Sequence, residues 1–270
     1  MAVTPVTDKL QRPRQRLLLS IEGNIGIGKS TLMNRLRKQY AGSPRVAFVD
    51  EPVATWEEHG LLEAMYDNRI SRCSFQLMAL TTRYSGLLAA LASGADLIIA
   101  ERSIESDRAC FAEVNLDKAE DKAAYAVSYD ALHEALPKDL LSAIILLDAP
   151  RATLHERIAK RGRAAEKSAK NAPSSAEEEA EEEAAAGGVP EEYLERLDNA
   201  HAALYAQTNP ATRRRVDATQ TADAVANAVL SAIEELCDAA LPIAPPVASS
   251  PVSVMDDAAL MAVDVLDDEH

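Results

Sequence analysis

Gly23-Asn24-Ile25-Gly26-Ile27-Gly28-Lys29-Ser30-Thr31 is the stretch on which the reading of this 270-residue chain turns. Its glycines permit the sharp turns that aim successive backbone N–H groups at one point. Lys29 adds a cation there, and the Ser30 hydroxyl can ligate magnesium. The flanks agree: Arg16-Leu17-Leu18-Leu19-Ser20-Ile21-Glu22 reads as a buried strand, and Thr31-Leu32-Met33-Asn34-Arg35-Leu36-Arg37 as a helix whose positive end faces the loop. Strand, glycine loop and helix in that order make a cradle for the phosphates of a nucleoside triphosphate.

Outward from this loop the chain alternates. Further strands are expected at Val46–Val49 and at residues 97–100, 143–147 and 215–217. Helical patterns fall at 60–66, 72–92, 105–111, 122–136, 152–160, 190–197 and 222–236. Such alternation predicts the α/β class, a five-stranded parallel sheet flanked by helices. In an open parallel sheet ligands sit beyond the carboxyl ends of the strands. There the sequence places the glycine loop, then Asp50-Glu51-Pro52, Glu101-Arg102-Ser103 and Asp148-Ala149-Pro150.

The formal net charge is -15, and most of it comes from Glu177-Glu178-Glu179-Ala180-Glu181-Glu182-Glu183 and the tail after Asp256. A continuous basic face, which nucleic-acid binding requires, is not encoded. Three cysteines, Cys73, Cys110 and Cys237, have neither a paired framework nor a zinc spacing. No apolar run reaches membrane-spanning length, so no membrane partner is expected. Residues 1–15 hold Lys9, Arg12 and Arg14 against one acid, Asp8. This faint likeness to an organellar leader is set against a disordered arm, and the cytoplasm is the expected compartment. One domain over 16–238 is expected, with an Ala/Glu-rich insertion at about 164–188 and a disordered acidic tail at 239–270.

A phosphate loop alone does not separate kinases from GTPases, motors or hydrolases. The guanine-specificity Asn-Lys-x-Asp and the Asp-x-x-Gly switch are missing from the sequence. Leu97-Ile98-Ile99-Ala100-Glu101-Arg102-Ser103 instead sets a carboxylate and a guanidinium at a strand end, where they can reach magnesium and a transferring phosphoryl group. Five separated motifs occur in order: Ile21 through Thr31; Glu51-Pro52-Val53 with Trp56; Phe75-Gln76; Glu101-Arg102-Ser103 with Asp107-Arg108; and Arg157 through Arg161-Gly162-Arg163. In this the chain resembles the deoxyribonucleoside kinases, near the deoxycytidine and deoxyguanosine kinase branch, over about residues 16–235.

That resemblance implies a P-loop kinase fold with a helical lid, and ATP-dependent phosphorylation of a deoxyribonucleoside 5′-hydroxyl in nucleotide salvage. It implies Glu51 as general base, Lys29 bridging phosphates, and Ser30 with Glu101 holding Mg2+. Arg102 would balance charge between Glu51 and the phosphoryl group. Gly23, Asn24, Ile25, Gly26, Ile27, Gly28, Lys29, Ser30 and Thr31 would bind ATP, together with the lid arginines Arg157, Arg161 and Arg163. Gln76 would read a base edge with one donor and one acceptor; Arg83, on the same helical face two turns on, would pair with Asp107 beside the base, and Phe111 would stack on it. Val53, Trp56, Met65 and Phe75 would wall the nucleoside, while Tyr66 and Glu166 would bond its 3′-hydroxyl.

The charged pair Arg83 and Asp107 leaves little room for a 5-methyl group, so deoxyguanosine, deoxyadenosine or deoxycytidine are expected ahead of thymidine. Residues 216–221 resemble the family's loop over the donor base without its aromatic; ATP is the default donor and UTP the alternative. Family members are commonly homodimers. The chain departs from the family at Ala164-Ala165 and in the Ala/Glu stretch that follows. Two rival readings are a nucleoside monophosphate kinase of the same fold and a non-catalytic nucleotide-binding regulator.

Overall fold

Strand β1 (Leu17–Glu22) is buried along its whole length. The structure, a computed structural model, describes residues 16–161 and 189–240. In it β1 is the middle strand of a five-stranded, all-parallel sheet ordered β2-β3-β1-β4-β5. The others are β2 (Val46–Val49), β3 (Leu97–Glu101), β4 (Leu141–Asp148) and β5 (Arg213–Asp217). Leu19 pairs in register with Ile99 on one side and Ala143 on the other.

Strand periodicity of two sorts the side chains into two cores. Leu17, Leu19, Ile21, Leu97, Ile99 and Ile145 enter one face, where they meet Leu32 and Leu36 of α1 (Lys29–Gln39) and Leu154 and Ile158 of α7 (Arg151–Arg161). Leu194 and Leu197 of α8 (Glu191–Gln207) and Val229 and Ile233 of α9 (Ala222–Ala240) complete that layer. Leu18, Ile98 and Ala100 enter the other face, against Leu80 and Leu87 of α4 (Arg72–Ala92) and Tyr125 and Tyr129 of α6 (Ala119–Glu134). Each fully buried Leu or Ile contributes about 1.5–3 kcal/mol, so this double-sided packing fixes where the strand ends point.

The site is held by the connections after the strands. Two short helices, α2 (Val53–Glu58) and α3 (Leu61–Tyr66), follow β2 and pack Trp56, Met65 and Tyr66 against Phe75 and Ala79 of α4. Helix α5 (residues 104–115) is α-helical over Ile104–Ser106, π-helical over Asp107–Ala112 and α-helical again over Glu113–Asn115. Its two faces join both cores, Phe111 and Val114 to one and Ile104 and Ala112 to the other.

The strands expected from sequence are all present, with small differences. β5 begins two residues before the expected 215, since Arg213 and Arg214 hide their cationic ends. Arg213 donates to the Tyr205 and Ala206 carbonyls and lies over the Tyr205 ring; Arg214 pairs with Glu235. Helix α2 was not foreseen: six residues after Pro52 carry too few apolar positions to reveal a period. The expected arm 1–15 and insertion 164–188 lie outside the described residues, as does the tail expected at 239–270 except for its first two residues, which are the last two of α9. No described helix is long and apolar enough to cross a membrane.

Candidate active site

The glycine loop works because two of its residues can only be glycine. Gly23 has φ 138°, and a Cβ there would sit 2.8 Å from the Leu147 carbonyl oxygen; Gly26 has φ 78°, and its Cβ would meet Ile158 at 2.7 Å. The loop therefore presses onto β4 and α7 and leads directly into the N-terminus of α1. Asn24 clips it from the other side: its amide donates to the Leu194 carbonyl at 2.8 Å and to Asp198 at 2.6 Å, while its oxygen accepts from Ile25 N at 2.7 Å. The Asn24 side chain is thus spent on α8, and what it offers a phosphate is backbone.

A cleft of about 590 Å³ opens beside the loop. Ile25 through Thr31, Glu51, Val53, Trp56, Met65, Tyr66, Phe75, Gln76, Arg83, Glu101, Arg102, Asp107, Phe111, Arg157 and Arg161 all line it. Of the residues expected from sequence, Gly23 and Asn24 stand behind the cleft wall, and Arg163 and Glu166 lie outside the described residues. Every other expected residue is gathered into this one cavity.

Lys29 donates to the carbonyls of Gly23 at 3.1 Å and Asn24 at 3.0 Å. Burial, then the neighbouring Arg102 charge, lowers its affinity for the proton, against the pull of Glu51, Glu101 and Glu22. Ser30 Oγ donates to Glu101 at 3.0 Å, bringing a hydroxyl from the first turn of α1 and a carboxylate from the end of β3 together. Burial, then the charge of Glu51, raises the Glu101 pKa. Hard oxygen donors facing a phosphate cradle fit Mg2+, which takes few protein ligands and completes its shell with phosphate and water. Among the described residues no group of three or more His, Cys, Asp or Glu gathers as a metal cage.

Glu51 accepts from two arginines. Arg83 Nη2 donates to Glu51 Oε1, and Arg102 Nε reaches the same oxygen at 3.1 Å. Burial pushes the Glu51 carboxyl up, but Arg102, Arg83 and Lys29 outweigh it and hold the group well below the usual range. Arg83 also donates through Nη1 to Asp107 Oδ1, and Tyr125 donates to Asp107 Oδ2 at 2.6 Å. The Arg83 guanidinium lies 5.3 Å from the Trp56 ring centre and 5.6 Å from that of Phe111. A fully buried carboxylate, a buried arginine and a tyrosine thus form one fixed polar unit at the inner end of the cleft. Gln76, 3 % exposed, keeps its amide oxygen without a partner among the described residues. A buried acceptor left open in a cleft is a place for a ligand donor.

Arg102 adopts φ 69°, in the left-handed region that a branched backbone with a Cβ seldom enters. Its N–H donates to Ile21 O at 3.1 Å, and the next residue, Ser103, caps α5 in a reciprocal box with Ser106. The turn aims Nη1 at the Gly23 carbonyl, 2.9 Å away. Such strain, on the order of 1–3 kcal/mol, is held by surrounding hydrogen bonds and gathers at functional sites.

Some contributors escaped the sequence reading. Asn115 and Tyr193 line the cleft, Tyr125 braces Asp107, His201 meets Arg102, and Glu22 lies beneath the loop. His201 and Tyr193 sit in helical register with Leu194 and Leu197, so they look like core. The π-helical stretch that presents Asp107 and Phe111 has no pattern of its own.

Fold and site together define a phosphotransferase in which the glycine loop and the Glu51–Arg83–Asp107 group share one cleft. The deoxynucleoside kinase family model matches residues 19–172, and the chain belongs to that family of kinases. It is 32% identical over 214 residues to a deoxycytidine kinase from Homo sapiens, covering 68% of this chain and 73% of the human one. Against a deoxycytidine kinase from Xenopus laevis the identity is 31% over 214 residues, 68% of this chain and 71% of the other. A probable deoxycytidine kinase of fowlpox virus is 39% identical over 95 residues, which is 35% of this chain and only 38% of the viral protein.

Proposed function

We propose that this protein transfers the γ-phosphoryl group of ATP to the 5′-hydroxyl of a deoxyribonucleoside, with deoxyguanosine, deoxyadenosine or deoxycytidine favoured over thymidine, in nucleotide salvage. The observation that carries this reading is the Arg102–Glu51–Arg83–Asp107 chain of ion pairs. It joins the mouth of the phosphate loop to the inner pocket.

Glu51 is the general base. With the cleft open it is clamped by two guanidiniums and is a poor proton acceptor. A bound triphosphate draws Lys29 and Arg102 toward its own charge, which loosens their hold on Glu51 and lets the carboxylate take the 5′-hydroxyl proton. Ser30 and Glu101 would hold Mg2+, which when bound supplies charge neutralisation at the phosphates. Gln76 and the Arg83–Asp107 pair read the base edge, Phe111 stacks on the ring, and Val53, Trp56, Met65 and Phe75 keep water away. Tyr66, with Glu166, bonds the 3′-hydroxyl. Arg157, Arg161 and Arg163 close over the donor.

The same reading takes residues 16–238 as the catalytic unit, working as a cytoplasmic homodimer. The cations at the acceptor end, Arg83 and Arg102, are each committed to carboxylates, which favours an uncharged nucleoside over a nucleoside monophosphate. The test is ADP release from Mg2+-ATP with the four deoxynucleosides in parallel, and with their monophosphates, using Glu51→Gln as control. Turnover of a purine deoxynucleoside or deoxycytidine that falls about 10³-fold in the control is expected. Turnover of monophosphates alone, or tight nucleotide binding without turnover, overturns it.

A further inference from the structure

His201 is 3 % exposed and projects from α8 into the layer between that helix and Arg102. Its Nδ1 stands 2.7 Å from the Leu197 carbonyl oxygen, an atom that only accepts, so Nδ1 carries a proton. Its Nε2 stands 3.2 Å from Arg102 Nη1, and a guanidinium only donates, so Nε2 offers a lone pair. The neutral Nδ1–H imidazole is the one form that meets both partners at once. The ring also stands edge-on to Phe111, with centroids 5.9 Å apart at 85°, and Phe111 in turn presents its face to Arg102 at 4.4 Å.

We propose that His201 is a positioning residue for Arg102, a neutral buried acceptor that fixes the guanidinium plane without cancelling its charge. The proposal rests on the reading that Arg102 stabilises the transferring phosphoryl group. Arg102 has three acceptors: Gly23 O at 2.9 Å, Glu51 at 3.1 Å and His201. The first belongs to the loop that the triphosphate occupies, and the second has to be released for catalysis. His201 alone among them stays available throughout the reaction. A carboxylate in its place would neutralise the arginine and weaken its attraction for phosphate. An apolar ring would leave a left-handed, strained arginine free to rotate. Burial, then the charge of Arg102, keeps the imidazole neutral down to about 3, so the acceptor persists over the whole working range of pH.

The experiment compares His201→Gln, His201→Phe and His201→Met in the full-length protein with Mg2+-ATP and the best deoxynucleoside. Glutamine keeps an acceptor near the Nε2 position; phenylalanine keeps the ring and its contact with Phe111; methionine approximates the glutamine shape without a strong acceptor. Expected are a kcat about 50-fold lower for the Phe and Met variants, with both KM values within about twofold, and a kcat within about fivefold of the parent for the Gln variant. In an Arg102→Lys background, His201→Phe should cost less than about threefold, because its target is gone. Should the Phe variant fail to fold by thermal melting, the Gln and Met pair carries the comparison alone.

A Phe or Met variant as active as the Gln variant would make His201 a packing residue and overturn the proposal. So would a full loss that persists in the Arg102→Lys background. If Arg102→Ala itself leaves kcat unchanged, the functional reading of Arg102 fails and this inference with it. A large Arg102→Ala effect beside an unaffected His201→Phe overturns this inference alone.

Discussion

The Ser30 hydroxyl, in the first turn of α1, and the Glu101 carboxylate, at the end of β3, meet at 3.0 Å. In the proposed function these two oxygens would hold a nucleotide-borne Mg2+. Ser30→Ala and Glu101→Gln should each raise the Mg2+ concentration for half-maximal activity about tenfold, with little change in nucleoside KM. Activity titrated against Mg2+ at fixed ATP checks this, and an unaltered Mg2+ dependence in both variants removes these residues from the metal site.

Arg83 and Asp107 are a buried pair whose members cannot be removed singly without cost. Losing Arg83 leaves the buried Asp107 carboxylate without its counter-ion, worth about 3–5 kcal/mol, and losing Asp107 leaves Arg83 only Glu51, which it shares with Arg102; losing both restores balance. Arg83→Met and Asp107→Ala should therefore each lower stability more than the double variant does, seen as non-additive midpoints in urea. Tyr125, which donates to the same carboxylate, loses its acceptor in Asp107→Ala and so adds to the penalty for that variant. The double variant also gains room beside the base, so thymidine turnover should rise relative to the parent. Strong thymidine activity in the parent would sink the specificity assignment.

Much of this site was legible because its chemistry sits in contiguous motifs. Gly23 through Thr31, Glu51-Pro52 and Glu101-Arg102-Ser103 each follow an apolar strand, and a parallel sheet must bring such segments to one edge. The parts that stayed hidden act across the chain. His201 and Tyr125 lie on apolar helical faces, where a lone His or Tyr is indistinguishable from core. Their role depends on Arg102 and Asp107, 99 and 18 residues away. The π-helical turn over Asp107–Ala112 and the left-handed Arg102 are backbone states that tertiary packing enforces, so side-chain periodicity does not announce them. Helix α2 was too short to show a period, and the arginine-rich start of β5 did not resemble a strand.

Glu22 is 1 % exposed, accepts from the Ser20 hydroxyl through Oε1, and leaves Oε2 without a hydrogen-bond partner among the described residues. Burial raises its pKa above the ordinary 4.5, outweighing Arg102 and the nearby serines. Below that value folded and unfolded chains both hold the proton. Above it the unfolded chain releases its proton while the folded one retains it, so the parent loses stability as pH rises toward the folded value. Glu22→Gln keeps the Ser20 contact and has no proton to lose. Its melting temperature should match the parent near pH 4 and exceed it by about 3 °C by about pH 8. A constant difference across that range would mean that Glu22 is not the titrating group.

Arg157 ties two loops together. Its Nη1 donates to the Ile27 carbonyl at 2.9 Å and its Nη2 to the Ala218 carbonyl at 2.8 Å, linking the phosphate loop to the turn after β5. That turn is internally braced by Asp217, which accepts from Thr219 N at 2.8 Å and from its hydroxyl at 2.6 Å. The arginine thus sets the spacing between the glycine loop and the segment proposed to cover the donor base, and in the proposed function the same guanidinium would meet the triphosphate. Arg157→Ala should raise the KM for ATP about tenfold while leaving the nucleoside KM within about twofold. Amide exchange in residues 218–220 should quicken in the nucleotide-free protein. Arg157→Lys should recover little of either effect, since a single ammonium does not span two carbonyls in the fixed fork of a guanidinium. Equal shifts in both KM values would instead place Arg157 in the general scaffold rather than at the donor site.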